Sequence, residues 1–254
     1  MQLIQMTWRE VAALPRSTPI VIPIAATEQH GLHLPVSTDS MLLAELLRRA
    51  AERLDDRVVF APLMWLGNSH HHCDFAGGMS ASPRTYLDIL SDLAENFLQH
   101  GFERIVFMNG HGGNVVPGKQ TVYELRQKYR DRENLLLLLF TSYWSLGGKP
   151  QEVDVRLEQD QLGHACEWET SMMLRIAPEL VKDFTALDPV KFEIPFEPAY
   201  QGWITKDRTR HGHIGAPRSA TAEKGEALLR VFTADVVKFL ERVAAWDGRP
   251  WSGG

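Results

Sequence analysis

The spacing of hydrophobic residues along the chain predicts alternating strands and helices. Residues 19–25 form a short continuous apolar run, which is typical of a strand buried on both faces. Residues 40–54 carry leucines at helical spacing with Arg and Glu between them, which predicts an amphipathic helix. Similar patterns predict further strands at 57–62, 104–108 and 134–140, and further helices at 83–100, 119–129, 168–176 and 221–245.

This alternation indicates an α/β fold with a mainly parallel sheet and helices on both of its faces. Residues 192–218 are rich in Pro, Gly and aromatic residues, so we expect a long ordered loop or irregular strands there. No internal repeat, low-complexity tract or linker interrupts the pattern. We therefore predict a single domain over residues 1–254.

Charge and composition narrow the class of partner. The chain has 254 residues and a net charge of −5, and it lacks the clustered Lys and Arg of a nucleic-acid-binding surface. No apolar run is long enough to span a bilayer, and residues 1–10 lack the basic and apolar blocks of a secretion signal. Two cysteines, Cys73 and Cys166, make no disulfide framework. These features predict a cytoplasmic protein without nucleic-acid or membrane partners.

Candidate chemistry is concentrated in three short segments. Residues 26–39 (ATEQHGLHLPVSTD) directly follow the first predicted strand, and residues 109–114 (NGHGGN) follow the third. The third segment is 164–171 (HACEWETS). Their candidate ligands and catalytic groups are, in chain order, Glu28, His30, His33, Asp39, His111, His164, Glu167 and Glu169.

The first two segments are predicted to meet at one edge of the sheet. Ligands of open parallel sheets bind beyond the carboxyl ends of the strands, so we expect Glu28, His30, Asp39 and His111 to lie together. Mixed imidazole and carboxylate ligands suit Zn²⁺, Mn²⁺ or Fe²⁺. With several carboxylates available, one can bridge two ions about 3.5–4 Å apart, the spacing of two-metal hydrolytic sites.

Each of these signals alone is weak, and their conjunction carries the prediction. A single His after a strand is more often a hydrogen-bonded structural residue than a ligand, and NGHGGN alone could form only a tight turn. The run His70–His72 is open between a metal-binding tract, a substrate contact and a polar loop, of which we favour a loop lining the pocket. We expect Cys166 to be a small buried residue and not a ligand.

The sequence also resembles the creatininase (creatinine amidohydrolase) family. The resemblance covers nearly the whole chain and is carried by EQH at 28–30 with TD at 38–39, NGH at 109–111, SYW at 142–144, the HxxxxETS stretch at 164–171 and ATAEKG at 220–225. It implies a three-layer α/β/α fold, a binuclear metal centre that hydrolyses amide-type C–N bonds in a small molecule, and assembly into a homo-oligomer, often a hexamer.

The resemblance also implies roles for individual residues and two divalent ions per chain (Zn, Mn or Fe). Glu28 and His111 would hold one ion, His30 would hold the other, and Asp39 would bridge them. His164 would be the acid/base histidine. Two further residues are expected to contact substrate or support the site: Ser69 and Trp144.

The residues expected at the second metal site differ from those of creatininases proper. Those enzymes have a glutamate ligand where this chain has Gly113, and an apolar residue where it has Glu167. We therefore expect Glu167 to reach the second metal and Glu169 to be a supporting residue. Residues two apart on a helix point roughly 200° from one another, so both cannot be ligands if the segment is helical.

The residues expected at the substrate pocket also differ from those of creatininases, which carry a tryptophan where this chain has Asp160. Loss of this aromatic lid argues against creatinine, and the chain is similar to a branch that includes a formamidopyrimidine-nucleotide deformylase and a peptidase that trims a redox-cofactor precursor. We expect an amidohydrolase acting on a small amide. The alternatives are a peptidase trimming a small precursor, a metal-dependent lyase or isomerase, and a non-catalytic metal- or metabolite-binding protein.

Overall fold

The computed structural model describes residues 1–132, 136–147 and 155–248. Its strands are β1 (Ile20–Ile24), β2 (Val59–Phe60), β3 (Arg104–Asn109) and β4 (Leu137–Ser142). Its helices are α1 (Trp8–Ala13), α2 (Thr38–Leu54), α3 (Pro83–Gln99), α4 (Val115–Lys128), α5 (Glu167–Ile176), α6 (Thr205–Arg208) and α7 (Ala222–Ala244).

The four strands form one parallel sheet in the order β2-β1-β3-β4. β1 and β3 lie at its centre, and β1 pairs with β3 over the whole of its length, from Ile20 with Ile105 to Ile24 with Asn109. The predicted parallel sheet is confirmed. Part of the fourth predicted strand, at residues 134–135, lies outside the described residues.

Alternate side chains of the central strands enter two separate cores, because successive strand residues point to opposite faces. Val21 and Val106 pack in one core with residues of α2, α5 and α7. Ile22 and Phe107 pack in the other with residues of α3 and α4. Helices therefore cover both faces, which gives the predicted three-layer α/β/α arrangement.

Capping residues set where two of the longer helices begin. The Ser82 side chain accepts a hydrogen bond from Thr85 N, and Pro83 occupies the first turn of α3. The Thr221 side chain accepts from Lys224 N at the start of α7. α7 then passes so close to α5 that a Cβ at Gly225 would lie 1.9 Å from Ser171 O, so this position requires glycine.

Three regions differ from, or refine, the predicted elements. The sequence pattern did not predict α1. Helix α4 begins at Val115, four residues before the predicted start, because the NGHGGN segment leads directly into it. Residues 192–218 are largely irregular, as predicted, with only α6 and a short 3₁₀ turn at Pro217–Ser219. Among the described residues, no helix combines the length and apolar character needed to cross a membrane.

Candidate metal centre

Buried polar side chains from separate parts of the chain meet at the carboxyl edge of the sheet. The segments after β1, β2 and β3 and the first turns of α2 and α5 each contribute. These residues are Glu28, His30, Asp39, Ser69, His72, His111 and Glu169. His71 and His164 lie beside them and are less completely buried. The placement follows the rule that strand ends of a parallel sheet converge on one ligand-binding edge.

Asp39 lies between two of the histidines. Its Oδ1 is 3.0 Å from His30 Nε2, and its Oδ2 is 2.9 Å from His111 Nδ1. Asp39 is in the first turn of α2, where the positive end of the helix dipole favours a carboxylate. One carboxylate thus faces two imidazoles through different oxygens, which is the arrangement that a ligand bridging two ions requires.

Three histidines each have one ring nitrogen close to a backbone carbonyl. These pairs are His30 Nδ1 with Glu28 O (3.2 Å), His111 Nε2 with Asn68 O (3.0 Å) and His164 Nε2 with Gln29 O (2.7 Å). A carbonyl oxygen can only accept, so these nitrogens must carry the hydrogen. In the neutral rings, the other nitrogen therefore presents a lone pair to the cluster.

Those lone pairs face carboxylate oxygens. His111 Nδ1 and His164 Nδ1 lie 3.3 Å and 3.5 Å from Glu28 Oε1, in addition to the contacts of His30 and His111 with Asp39. A lone pair opposite a carboxylate is repulsive unless a cation or a proton lies between them. The buried Oε2 of Glu169 also has no hydrogen-bond partner among the described residues. This donor set fits divalent cations.

The same charges shift the pKa values of the metal-free cluster. Burial alone would lower the pKa of His30, but nearby Asp39, Glu169 and Glu28 raise it to about 9. The pKa of His111 likewise rises well above its usual value despite burial, because of Glu28 and Asp39. Burial raises the pKa of Glu169 to about 7. Without a metal, protons therefore compensate part of the negative charge.

Ligand-capable atoms of the described residues form three groups whose members lie within 4.8 Å of one another. The groups are Glu28–His30–His164, Glu28–His71–His111 and His30–Asp39–Glu169. Glu169, not Glu167, belongs to the group around His30, and its Oε1 lies 4.0 Å from His30 Nε2. The geometry therefore favours Glu169, and not Glu167 as we expected, as a candidate ligand of a second metal ion.

Glu167 has other partners. Its carboxylate accepts hydrogen bonds from the backbone N–H groups of Glu158 and Gln159 and from Lys224 Nζ, which lies 2.5 Å from Glu167 Oε1. Helix α5 begins at Glu167, so side chains two residues apart point in nearly opposite directions. The helix turns Glu169 toward the cluster and Glu167 toward Lys224.

Gly113 has no room for the glutamate that creatininases proper place there. A Cβ at this position would lie 2.0 Å from Asn68 O and 2.6 Å from His111 Nε2. Those are the two atoms of the hydrogen bond that orients the His111 ring. This close approach leaves no space for any side chain at position 113.

The two asparagines of the NGHGGN segment hold His111 in place. Asn109 receives a hydrogen bond from His111 N and donates one to His111 O. Asn114 donates to Ala25 O at the end of β1 and accepts from Asn68 N. The NGHGGN segment therefore connects the ends of neighbouring strands through hydrogen bonds and also contributes the imidazole of His111. The sequence motif signalled the position but not these contacts.

The other predicted residues differ in their proximity to the cluster. Ser69 Oγ donates to Glu28 Oε2, so it contacts a candidate ligand. Trp144 is half-buried and packs edge-on against Tyr143, next to the core shared by α2, α5 and α7. His33 is buried but belongs to none of the three groups, and its Nε2 lies 2.8 Å from Thr170 Oγ1. Cys166 is buried and free, as expected.

Two histidines of the run 70–72, whose role the sequence left open, lie at the candidate metal centre. His70 is exposed, His71 is half-buried beside His111, and His72 is buried with Nε2 3.4 Å from Glu28 Oε1. Their position after β2 was the available signal, because β2 lies next to β1 in the sheet.

Comparisons with known proteins agree with this geometry. The Creatininase (creatinine amidohydrolase) family model matches residues 4–240. The mycofactocin precursor peptide peptidase of Mycobacterium ulcerans (strain Agy99) is 30% identical over 246 residues, covering 93% of this chain and 89% of that protein. The creatinine amidohydrolase of Pseudomonas putida is 29% identical over 250 residues, covering 89% and 91% respectively. A solved mutant creatininase of Zn–Zn type superposes with a TM-score of 0.80 at 25% identity, covering 95% of this chain and 97% of that one.

The family match spans most of the chain, and the structural match covers 95% of it. The resemblance inferred from the sequence is therefore confirmed. The chain belongs to the creatininase family of hydrolases, which act on amide C–N bonds.

Proposed function

We propose that this protein uses two divalent cations, Zn²⁺, Mn²⁺ or Fe²⁺, to hydrolyse an amide C–N bond in a small molecule. The observation that supports this most strongly is the position of Asp39, whose two oxygens face His30 and His111 separately. An aspartate in that position can be shared by two ions. Its location at the carboxyl edge of the sheet is the place where α/β enzymes bind their ligands.

The two ions would share Asp39 and otherwise have separate protein ligands. Glu28, His111 and Asp39 would hold the first, and His71 is a further candidate on that side. His30, Asp39 and Glu169 would hold the second. When bound, such ions polarise the amide carbonyl and lower the pKa of water from 15.7 to about 7.

His164 is the proposed acid/base group. Its Nε2–H is held by Gln29 O, which leaves Nδ1 free to accept a proton at the cluster and deliver it to the departing nitrogen. Burial and neighbouring His30 lower the pKa of His164 to about 3, so the metal-free protein carries it neutral. A neutral imidazole can take up a proton at Nδ1.

Relatives support two substrate classes. One relative acts as a creatinine amidohydrolase and another as a mycofactocin precursor peptide peptidase. A small amide, lactam or formamide is our first candidate, and a short precursor peptide is the second.

Exposed Phe196 and Tyr200 lie in a segment that we propose as a contact surface of a homo-oligomer, a hexamer by family resemblance.

Metal analysis and a substrate panel test this function on the same sample. We expect two ions per chain and hydrolysis of at least one formamide, cyclic amide or short peptide, with one oxygen of labelled water entering the carboxylate product. Two bound ions without hydrolysis of any panel member would indicate a binding protein. An unsaturated product without labelled oxygen would indicate a lyase.

A further inference from the structure

His72 lies inside the cluster but belongs to none of the three ligand groups of the described residues. It is 3% exposed, its ring stacks on His164 with 4.2 Å between centroids, and its Nε2 is 3.4 Å from Glu28 Oε1. Whether His72 presents a lone pair or an N–H to Glu28 depends on which ring nitrogen carries the hydrogen. Its neighbours determine this tautomer.

The side-chain amide of Gln29 has a fixed orientation. Its Oε1 accepts from Gly31 N at 2.8 Å, and its Nε2 donates to Gly212 O at 3.0 Å. Because a backbone N–H can only donate and a backbone carbonyl can only accept, the amide cannot be flipped. The second hydrogen on Nε2 remains available for another acceptor.

Two imidazole nitrogens lie within reach of that hydrogen. His164 Nε2 is 3.0 Å away but already donates its hydrogen to Gln29 O, so it cannot accept. His72 Nδ1 is 2.8 Å away and must therefore be the acceptor. Thr205 Oγ1 lies 2.7 Å from His72 Nδ1 and also reaches His71 O. With a lone pair on Nδ1, the single hydroxyl hydrogen of Thr205 is directed to Nδ1.

We infer that Gln29 holds His72 as the neutral Nε2–H tautomer, so that this N–H faces Glu28 Oε1, 3.4 Å from Nε2, and His72 is a positioning residue, not a metal ligand. This inference rests on the proposed metal centre for its role, but not for the tautomer itself. Ser69 donates to the other oxygen, Oε2, so each oxygen of Glu28 has a donor beside it. His30, His111 and His164 differ from His72, since each gives its hydrogen to a backbone carbonyl and turns its other ring nitrogen toward the carboxylates.

Gly212 makes this arrangement possible. Its φ is +89°, and a Cβ there would lie 2.0 Å from Gln29 Oε1. Only glycine lets the backbone approach closely enough for Gly212 O to receive the Gln29 hydrogen bond.

Gln29→Glu tests the inference, because it preserves the shape of the side chain and the acceptor for Gly31 N but replaces the donor near His72 with an acceptor. We expect His72 to be unprotonated at Nδ1 in the wild type and protonated at Nδ1 in Gln29→Glu. Solid-state ¹⁵N spectra of histidine-labelled, metal-free protein distinguish the two states whatever the oligomer size. The matched control is Thr205→Val, which removes the other neighbour of Nδ1 and should leave the tautomer unchanged.

The His72 signal is assigned by its loss in His72→Asn, or by carbon–nitrogen correlation on the wild type if that variant does not fold. Finding hydrogen on Nδ1 of wild-type His72 would overturn the inference. So would an unchanged Nδ1 signal in a folded Gln29→Glu variant.

Metal content separates a positioning role from ligation. We expect His72→Asn to retain both ions while its affinity for at least one falls about 10-fold to 100-fold, as is usual when partners of a ligand are removed. Loss of one ion per chain at saturating metal would make His72 a ligand and contradict the inference. If the wild type binds no ion, the proposed function fails, whereas the tautomer measurement still decides the present inference.

Discussion

Glu167 and Lys224 form a buried ion pair, with 2.5 Å between Glu167 Oε1 and Lys224 Nζ. The pair joins the first turns of α5 and α7, and Lys224 also donates to Ser219 O. Glu167 is fully buried, so its charge depends on these partners. The pair gives Glu167 a structural partner, although Glu167 is close in sequence to residues of the candidate metal centre.

Breaking this pair should destabilise the protein without affecting the metals. Glu167→Gln leaves Lys224 without its counter-charge, which costs about 3–5 kcal/mol for a buried pair. We expect a lower free energy of unfolding in denaturant titrations and an unchanged metal content. Adding Lys224→Met should recover part of the loss, because it removes the unpaired cation. Loss of an ion in the Glu167→Gln variant would show instead that Glu167 is a metal ligand.

Glu169→Gln provides the matched comparison with Glu167→Gln. Glu169 shares a group with His30 and Asp39, so its neutral analogue should release the ion on that side and leave the other. Elemental analysis should give about one ion per chain, in keeping with a two-metal centre. Two retained ions would exclude Glu169 from ligation. Asp39→Ala, which removes the shared carboxylate, should release both.

His164→Ala should separate catalysis from metal binding. If His164 Nδ1 transfers the proton, turnover should fall by roughly 10²–10⁴-fold while both ions remain. The measurement is the steady-state rate on the best substrate of the panel, with metal content determined on the same preparation. Full activity of this variant would require another proton donor. Loss of an ion would instead indicate that His164 is a ligand.

Metal binding should release protons near neutral pH. The pKa of His30 is raised to about 9 in the metal-free cluster, so at pH 7.5 its Nε2 lone pair carries a proton that an ion must displace. Apparent affinity should therefore increase as the pH rises toward 9. Calorimetry in buffers of different ionisation enthalpy measures the released protons directly. A binding enthalpy independent of the buffer would contradict the raised pKa.

Gly113→Ala should disrupt the His111 side of the cluster. The added Cβ would lie 2.0 Å from Asn68 O, which orients the His111 ring through Nε2. We expect loss of one ion and of activity. The control is the neighbouring Gly112→Ala, whose Cβ would have no atom within 4 Å. Equal metal content in the two variants would show that the ring tolerates the displacement.

The sequence by itself determined the parallel sheet and the placement of Glu28 and His111. A buried apolar strand followed at once by polar residues positions them at the carboxyl edge, wherever the rest of the chain lies. Asp39 was predictable for a related reason, since it lies in the first turn of the helix that follows.

Only the tertiary structure distinguished Glu167 from Glu169. The two side chains leave α5 in nearly opposite directions, and the carboxylate of Glu167 forms an ion pair with Lys224, which lies 57 residues away in the sequence. The same holds for the histidines. Hydrogen bonds to Asn68 O and from Gln29 Nε2 determine which ring nitrogen is free, and these partners reach the rings through folding. Local patterns place residues along strands and helices, whereas their chemical state depends on contacts between distant segments.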